Sequence, residues 1–106
     1  METPITAKAA LLQALVKGPG FGLELIDRVQ ERTNGAVVLH QGSVYPALRK
    51  LEAEGLIESY EGEPMPERGG RPRRYYRLTA EGARAAMEQG TAVAGLFGLV
   101  PGVAGA

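Results

Sequence analysis

Five arginines, Arg68, Arg71, Arg73, Arg74 and Arg77, fall within ten consecutive positions, among Gly69, Gly70 and Pro72 and beside Tyr75 and Tyr76. A guanidinium stays charged and presents a planar fork of donors that fits a phosphate. Glycines let a backbone come close to a polyanion, and proline limits the slack of the loop. Arginines placed this way clasp phosphates or enter a minor groove. The plainer account is a solvated, charge-rich loop neutralised by Glu58, Glu61, Glu63 and Glu67. Those acids precede the tip, however, and five arginines exceed what solubility requires, so the clustering favours nucleic acid.

A second basic set lies between Gln41 and Lys50. Val44, Leu48 and Leu51 recur at i, i+4 and i+7, the inner stripe of a helix. Ser43, Pro46, Arg49 and Lys50 then face away from the core, with Tyr45 at the margin. This outer face holds a hydroxyl, a phenol, a guanidinium and an ammonium, and no carboxylate before Glu52. The helix start presents unpaired N–H groups and the positive end of the dipole, where a phosphate docks. Arg49 is long enough to reach guanine O6 and N7 in a major groove. Alone, this is an ordinary amphipathic helix with two basic residues. Followed by a basic hairpin, it is the layout of a winged helix, in which the helix reads the major groove and the wing touches the backbone or the minor groove.

Other chemistry finds little to work with. There is no cysteine, which excludes disulfides, thiolate metal sites and thiol nucleophiles. The one histidine, His40, lacks the ligand set of a zinc site and the nucleophile and carboxylate of a triad. Ser43 has no G-x-S-x-G context. Gly18, Gly20 and Gly22 follow no strand and precede no Gly-Lys-Ser/Thr, so they read as an interhelical turn rather than a phosphate loop. No enzyme, metal or cofactor is expected.

The elements that must position the two basic sets follow from periodicity. Ile5 to Lys17 reads as a helix capped by Thr3 or Thr6 and stopped by Gly18-Pro19-Gly20. A second helix runs from about Gly22 to Thr33, with Leu25, Ile26 and Val29 inward and Asn34-Gly35 as its stop. Ala36 to Leu39 is β-branched and predicts a brief strand. The third helix spans Gly42 to Glu54. Pro46 is tolerated in a first turn, which predicts a start close to Ser43. Leu56 to Gly62 and Arg73 to Thr79 predict a hairpin, with Arg73, Tyr75 and Arg77 on one face and Arg74, Tyr76 and Leu78 on the other. Thr79 caps a fourth helix through Ala83, Ala86 and Met87, whose signal weakens from Gly90.

At 106 residues the chain is one domain with a modest core, which association with a second copy would help. Twelve basic and twelve acidic residues leave no net charge, so any attraction to a polyanion must be local. The N-terminus lacks the basic and apolar regions of a signal peptide, and the tail is too short and too broken for a membrane span. A cytoplasmic protein without membrane contact is expected.

The blocks Gly22 to Ile26, Gln41-Gly42-Ser43-Val44-Tyr45-Pro46-Ala47-Leu48-Arg49-Lys50 to Ile57, and Gly70-Arg71-Pro72-Arg73-Arg74-Tyr75-Tyr76-Arg77-Leu78-Thr79 to Gly82 resemble the PadR family of bacterial transcriptional regulators. The resemblance covers Ala7 to Gly82. It implies a mainly α fold with a small β-hairpin (α+β), a winged helix-turn-helix over 1–82, and a C-terminal dimerisation helix over 80–92. The glycine-rich tail, 93–106, is left open to disorder. It implies a homodimeric repressor on a pseudo-palindromic operator in double-stranded DNA. Ser43, Tyr45, Pro46 and Arg49 match the DNA-facing helix, and Gly70, Arg71 and Arg73 match the wing. Gln41, Lys50 and Arg68 complete the expected DNA-binding set. Leu11, Leu12 and Leu15 of the first helix and Ala83, Ala86 and Met87 of the last are the expected dimer contacts. Some members hold flat apolar effectors against tryptophan. This chain has no tryptophan, so that pocket does not carry over and any small-molecule effector is left unidentified. The competing expectation is a winged-helix protein-interaction module without DNA binding, motivated by the zero net charge.

Overall fold

Thr6 starts the first helix, its hydroxyl accepting from the Ala9 N–H at 3.1 Å. The computed structural model describes residues 6–96, and for 91–96 the course of the backbone alone. The alternative cap Thr3, together with Ile5 and residues 97–106 of the glycine-rich tail, lies outside the described residues. Helix α1 runs Ala7–Ala14 and tightens into a 3-10 turn over Leu15–Lys17. A two-residue strand, β1 (Gly20–Phe21), leads into α2 (Gly22–Arg32). Arg28 of α2 ties down the whole connection. Its Nη1 donates to the carbonyls of Ala14 and Gly18 at 2.9 and 2.8 Å, and Nη2 donates to that of Pro19 at 3.0 Å. The Ala14 carbonyl lies at the end of α1, those of Gly18 and Pro19 belong to the turn that follows, and a cation satisfies all three.

Helix α2 ends as its sequence predicts. Gly35 N–H bonds the Gln30 carbonyl at 2.8 Å with Asn34 in the left-handed region. The expected strand over Ala36 to Leu39 does not form. Val37 and Leu39 are buried and Val38 is exposed, the alternation of extended chain, but the Val37 N–H goes to the Thr33 hydroxyl at 3.0 Å rather than to a neighbouring strand. Helix α3 (Gln41–Ala53) follows, with His40 as its cap residue. It starts two residues ahead of Ser43, so Pro46 falls in the second turn instead of the first. Because proline has no N–H, the i→i−4 bond to the Gly42 carbonyl is absent there.

Strands β2 (Ile57–Pro64) and β3 (Pro72–Leu78) form the hairpin. The sheet order is β1-β3-β2, all antiparallel. The third strand therefore comes from the α1–α2 turn, where glycine and proline hid it, and not from Ala36 to Leu39. The tip closes through a 3-10 turn, Pro66–Arg68, and then Gly69 and Gly70, both at positive φ, with the Gly70 N–H on the Met65 carbonyl at 3.0 Å. Side chains would strain both residues.

Helix α4 runs Ala80–Leu96, past the expected end at 92, so 93–96 belong to the helix. The Thr79 hydroxyl accepts from the Gly82 N–H at 3.1 Å as its cap. Two glutamines strap α4 to α1, Gln13 donating to the Ala86 carbonyl at 2.7 Å and Gln89 to the Ala9 carbonyl at 2.9 Å. The core gathers Leu11, Leu12 and Leu15 of α1, Leu25 and Val29 of α2, Val44, Leu48 and Leu51 of α3, Ile57, Tyr76 and Ala86. No helix among the described residues is long and apolar enough to cross a membrane.

Two glycines of α4 predict opposite outcomes. A Cβ on Gly82 would run into the backbone carbonyl of Leu56, whereas one on Gly90 would meet only the Gln13 amide, at 3.8 Å. Gly82→Ala is expected to cost about 1–3 kcal/mol by overpacking and to lower Tm by about 5–15 °C. Gly90→Ala is expected to add about 0.5–1 kcal/mol by helix propensity. Thermal unfolding of the two variants beside wild type checks the pair, and a stabilised Gly82→Ala would refute the crowded junction.

Candidate nucleic-acid interface

Burial of Val44, Ala47, Leu48 and Leu51 decides which residues of α3 remain outside. Gln41, Ser43, Pro46, Arg49 and Lys50 are exposed, and Tyr45 is half-buried against Gly22 of α2. At the start of the helix the N–H groups of Ser43 and Val44 both bond the His40 carbonyl, at 3.0 and 2.9 Å. Among the described residues those of Gln41 and Gly42 have no partner, leaving two donors pointing out of the helix end. The Ser43 hydroxyl donates back to the His40 carbonyl at 3.1 Å, which leaves its lone pairs for an incoming donor. His40 itself is exposed at the cap and makes no side-chain bond to the helix.

The five arginines of the hairpin separate into three kinds. Arg77 pairs with Glu58 at 2.8 Å and lies over the Tyr60 ring. Arg74 donates to the Ser59 hydroxyl at 2.9 Å and sits 4.0 Å from Glu52, whose other bond comes from Ser59 at 2.8 Å. Arg73 is half-buried with its guanidinium 4.4 Å from the centroid of Phe21. Arg68 and Arg71 stand at the exposed tip beside Gly70. Arg71 Nε donates to the Arg68 carbonyl at 3.1 Å, and among the described residues neither guanidinium has an ion-pair partner. The same is true of Arg49 and Lys50. Around α3 and the base of the wing, Glu52 is occupied by Ser59 and Arg74, Glu54 by Lys8 at 2.7 Å, and Glu58 by Arg77, whereas Glu61, Glu63 and Glu67 of the wing are exposed and, among the described residues, without an ion-pair partner. The ion pairs thus leave uncommitted cations on α3 and at the wing tip, alongside the uncommitted carboxylates Glu61, Glu63 and Glu67 of the wing.

Tyr76 joins the hairpin to α3 from beneath. It is buried on the core face of β3, and its phenol is held above the usual value of 10.0 chiefly by burial, with Arg74 acting the other way. Of the expected dimer contacts, Leu11, Leu12, Leu15 and Ala86 are packed into the core of this one subunit, while Ala83 and Met87 are exposed. An open groove of about 280 Å³ separates α1, the end of α2 and α4, lined by Ala9, Gln13, Val29, Thr33, Val37 and Gln89. No cluster of metal-ligating side chains occurs among the described residues. Sequence reasoning missed Phe21 and Tyr60. Their only signal was the alternation of Tyr75 with arginines, which marks a second populated face of the sheet.

A sequence model of the transcriptional regulator PadR-like family matches residues 11–88. A protein of Lysinibacillus sphaericus is 29% identical over 72 residues, covering 68% of this chain. The chain spans 63% of the length of that curated relative. A transcriptional regulator from Clostridium thermocellum superposes with a TM-score of 0.73 at 26% identity, over 86% of this chain and 82% of that one. Bacillus subtilis PadR in complex with operator DNA superposes with a TM-score of 0.66 at 24% identity, over 76% of this chain and 44% of that one. The architecture is a winged helix, with α3 as its third helix and the β2–β3 hairpin as its wing.

The Tyr76 phenol makes a pH prediction. A raised native value means that the folded state keeps the proton longer than the unfolded state does. The stability this contributes is complete below pH 10.0 and is lost as pH rises through the native value. Wild type is expected to lose Tm more steeply than Tyr76→Phe above that pH, and parallel Tm–pH curves would show that Tyr76 is not the group responsible.

Proposed function

The chain belongs to the transcriptional regulator PadR-like family, and on that premise we propose that it is a sequence-specific, double-stranded-DNA-binding repressor acting as a homodimer on a pseudo-palindromic operator. The observation that carries this reading is the placement of uncommitted cations: Arg49 and Lys50 on the outer face of α3, and Arg68 and Arg71 at the wing tip, while Glu52, Glu54 and Glu58 beside α3 and the base of the wing are paired. Helix α3 enters the major groove, with Arg49 reading a base edge and Gln41, Ser43, Tyr45, Pro46 and Lys50 lining the approach. The free N–H groups of Gln41 and Gly42 take a phosphate. The wing lays Arg68, Gly70, Arg71 and Arg73 along the adjacent backbone.

The 1–82 unit is the DNA-binding part, and α4 is the dimerisation helix. Ala83 and Met87 lie on its exposed side, and the apolar groove between α1, α2 and α4 receives the second copy. Leu11, Leu12, Leu15 and Ala86 support that surface from within the subunit rather than forming it. The protein acts in the cytoplasm, where its operator lies, and no small-molecule effector is assigned.

Selection from randomised duplexes followed by sequencing tests the reading directly. It should recover paired half-sites about one helical turn, roughly 34–36 Å, apart. Arg49→Ala is expected to cost about 1–3 kcal/mol and to relax preference at one base position. Arg71→Ala is expected to weaken all sequences alike and to flatten the salt slope by about 1. Arg77→Ala, whose charge is already held by Glu58, should leave that slope unchanged. No enriched sequence, or binding indifferent to salt, would overturn the proposal in favour of a protein-interaction module.

A further inference from the structure

The sheet face opposite the core carries a continuous row of aromatic rings that no DNA contact accounts for. Phe21 of β1 and Tyr60 of β2 are both register partners of Tyr75 of β3. The three rings therefore share one row across the sheet. Phe21 meets Tyr75 edge-on with centroids 5.5 Å apart, and Tyr60 stacks on Tyr75 at 5.7 Å. Two residues either way along β3, on the same face, Arg73 lies over Phe21 at 4.4 Å and Arg77 over Tyr60 at 4.9 Å. The row runs from one sheet edge to the other.

Its mechanical setting is uneven. The wing is rooted at its base, where Thr79 N–H bonds the Leu56 carbonyl at 3.0 Å. Along its free edge only two register pairs, Gly20↔Tyr76 and Phe21↔Tyr75, join it to the helical body. A two-stranded hairpin is marginal by itself, so its angle is set by that short third strand together with the Ser59 and Arg74 contacts to Glu52 of α3 and the burial of Tyr76. Phe21 is in turn rigidly placed. Its N–H donates to Glu24 Oε1 at 3.3 Å, and Arg28 holds the preceding turn by three carbonyls. Arg28 and Glu24 belong to α2, the helix on which Tyr45 of α3 also leans. One fixed body thus carries both α3 and the Phe21 ring.

The geometry points to Phe21 as a positioning residue for DNA binding: through Arg73 and Tyr75 it sets the angle of the wing relative to α3, so that Arg68 and Arg71 meet phosphate while α3 sits in the groove. This rests on the DNA-binding reading above and adds to it a residue in the α1–α2 turn, far along the chain from the wing tip. Arg73 then acts as much by stacking on Phe21 as by its charge, because cation–π and edge-on aromatic contacts fix orientation as well as adding stability.

The test uses the full chain and the duplex recovered by selection, with a duplex of mixed sequence beside it. Phe21→Leu keeps an apolar side chain in the turn but removes the ring. It is expected to weaken the selected duplex by about tenfold and to flatten its salt slope by about 1–2, since the tip arginines lose phosphate. Phe21→Tyr should retain both values. Phe21→Leu combined with Arg73→Gln should cost no more than the larger single loss, because both break the same contact. In the free protein the Arg73 Nε–H proton resonance, shifted by the ring above, should move on Phe21→Leu and stay in Phe21→Tyr. A Phe21→Leu protein that melts lower but whose folded fraction binds with wild-type affinity and salt slope would overturn the positioning role and leave DNA binding standing. Additive losses in the double variant would do the same. Wild type failing to bind any duplex would sink the DNA reading and this inference with it.

Discussion

The carbonyl of Leu56 is the point on which four elements converge. Helix α3 ends there in a reverse turn, the Leu56 N–H returning to the Leu51 carbonyl at 3.0 Å. Strand β2 begins one residue later, and β3 ends where Thr79 N–H bonds the same Leu56 carbonyl while its hydroxyl donates to Gly55 at 2.6 Å. The Thr79 hydroxyl then caps α4. Gly82 passes so close to the Leu56 carbonyl that no side chain fits between them. Helix α3, the wing and the C-terminal helix therefore leave one junction at set angles.

A second tie closes the opposite side of the molecule. Arg28 gathers the carbonyls of the α1–α2 turn and so brings β1 to the free edge of β3. The wing is held at its base by Leu56 and along its edge by Phe21, so both basic surfaces are tied to the same helical body. That matters because a charged tip on a loose hairpin would lose much of its phosphate attraction to the entropy of ordering it.

Electrostatics follows the same local logic. A neutral chain has no general attraction to polyanions. Pairing Glu52, Glu54 and Glu58 with Arg74, Lys8 and Arg77 offsets the carboxylates beside α3 and the base of the wing, and leaves Arg49, Lys50, Arg68 and Arg71 without an ion-pair partner among the described residues. These exposed pairs add little stability. Their consequence is to shape the field rather than to hold the fold.

Much of this was legible in the sequence, because it is encoded by neighbours in the chain. The i, i+4, i+7 stripe of Val44, Leu48 and Leu51 specifies which side of α3 faces out, and Asn34-Gly35, Gly55 and Thr79 punctuate the helices by local hydrogen bonding. The arginine cluster declares its charge without reference to anything distant. What only the tertiary structure decided depends on pairs far apart in sequence. Val37 loses its strand to a hydroxyl, while Gly20 and Phe21 gain one because β3 offers an open edge across more than fifty residues. Glu58 and Glu52 select Arg77 and Arg74 for pairing and leave Arg68 and Arg71 out. Leu11, Leu12, Leu15 and Ala86, expected at a dimer surface, are drawn into the subunit's own core because burial is non-directional and the nearest apolar surface was their own chain's. Local patterns thus specified which residues carry charge. Long-range packing alone decided which of those charges stay uncommitted and at what angle they are presented.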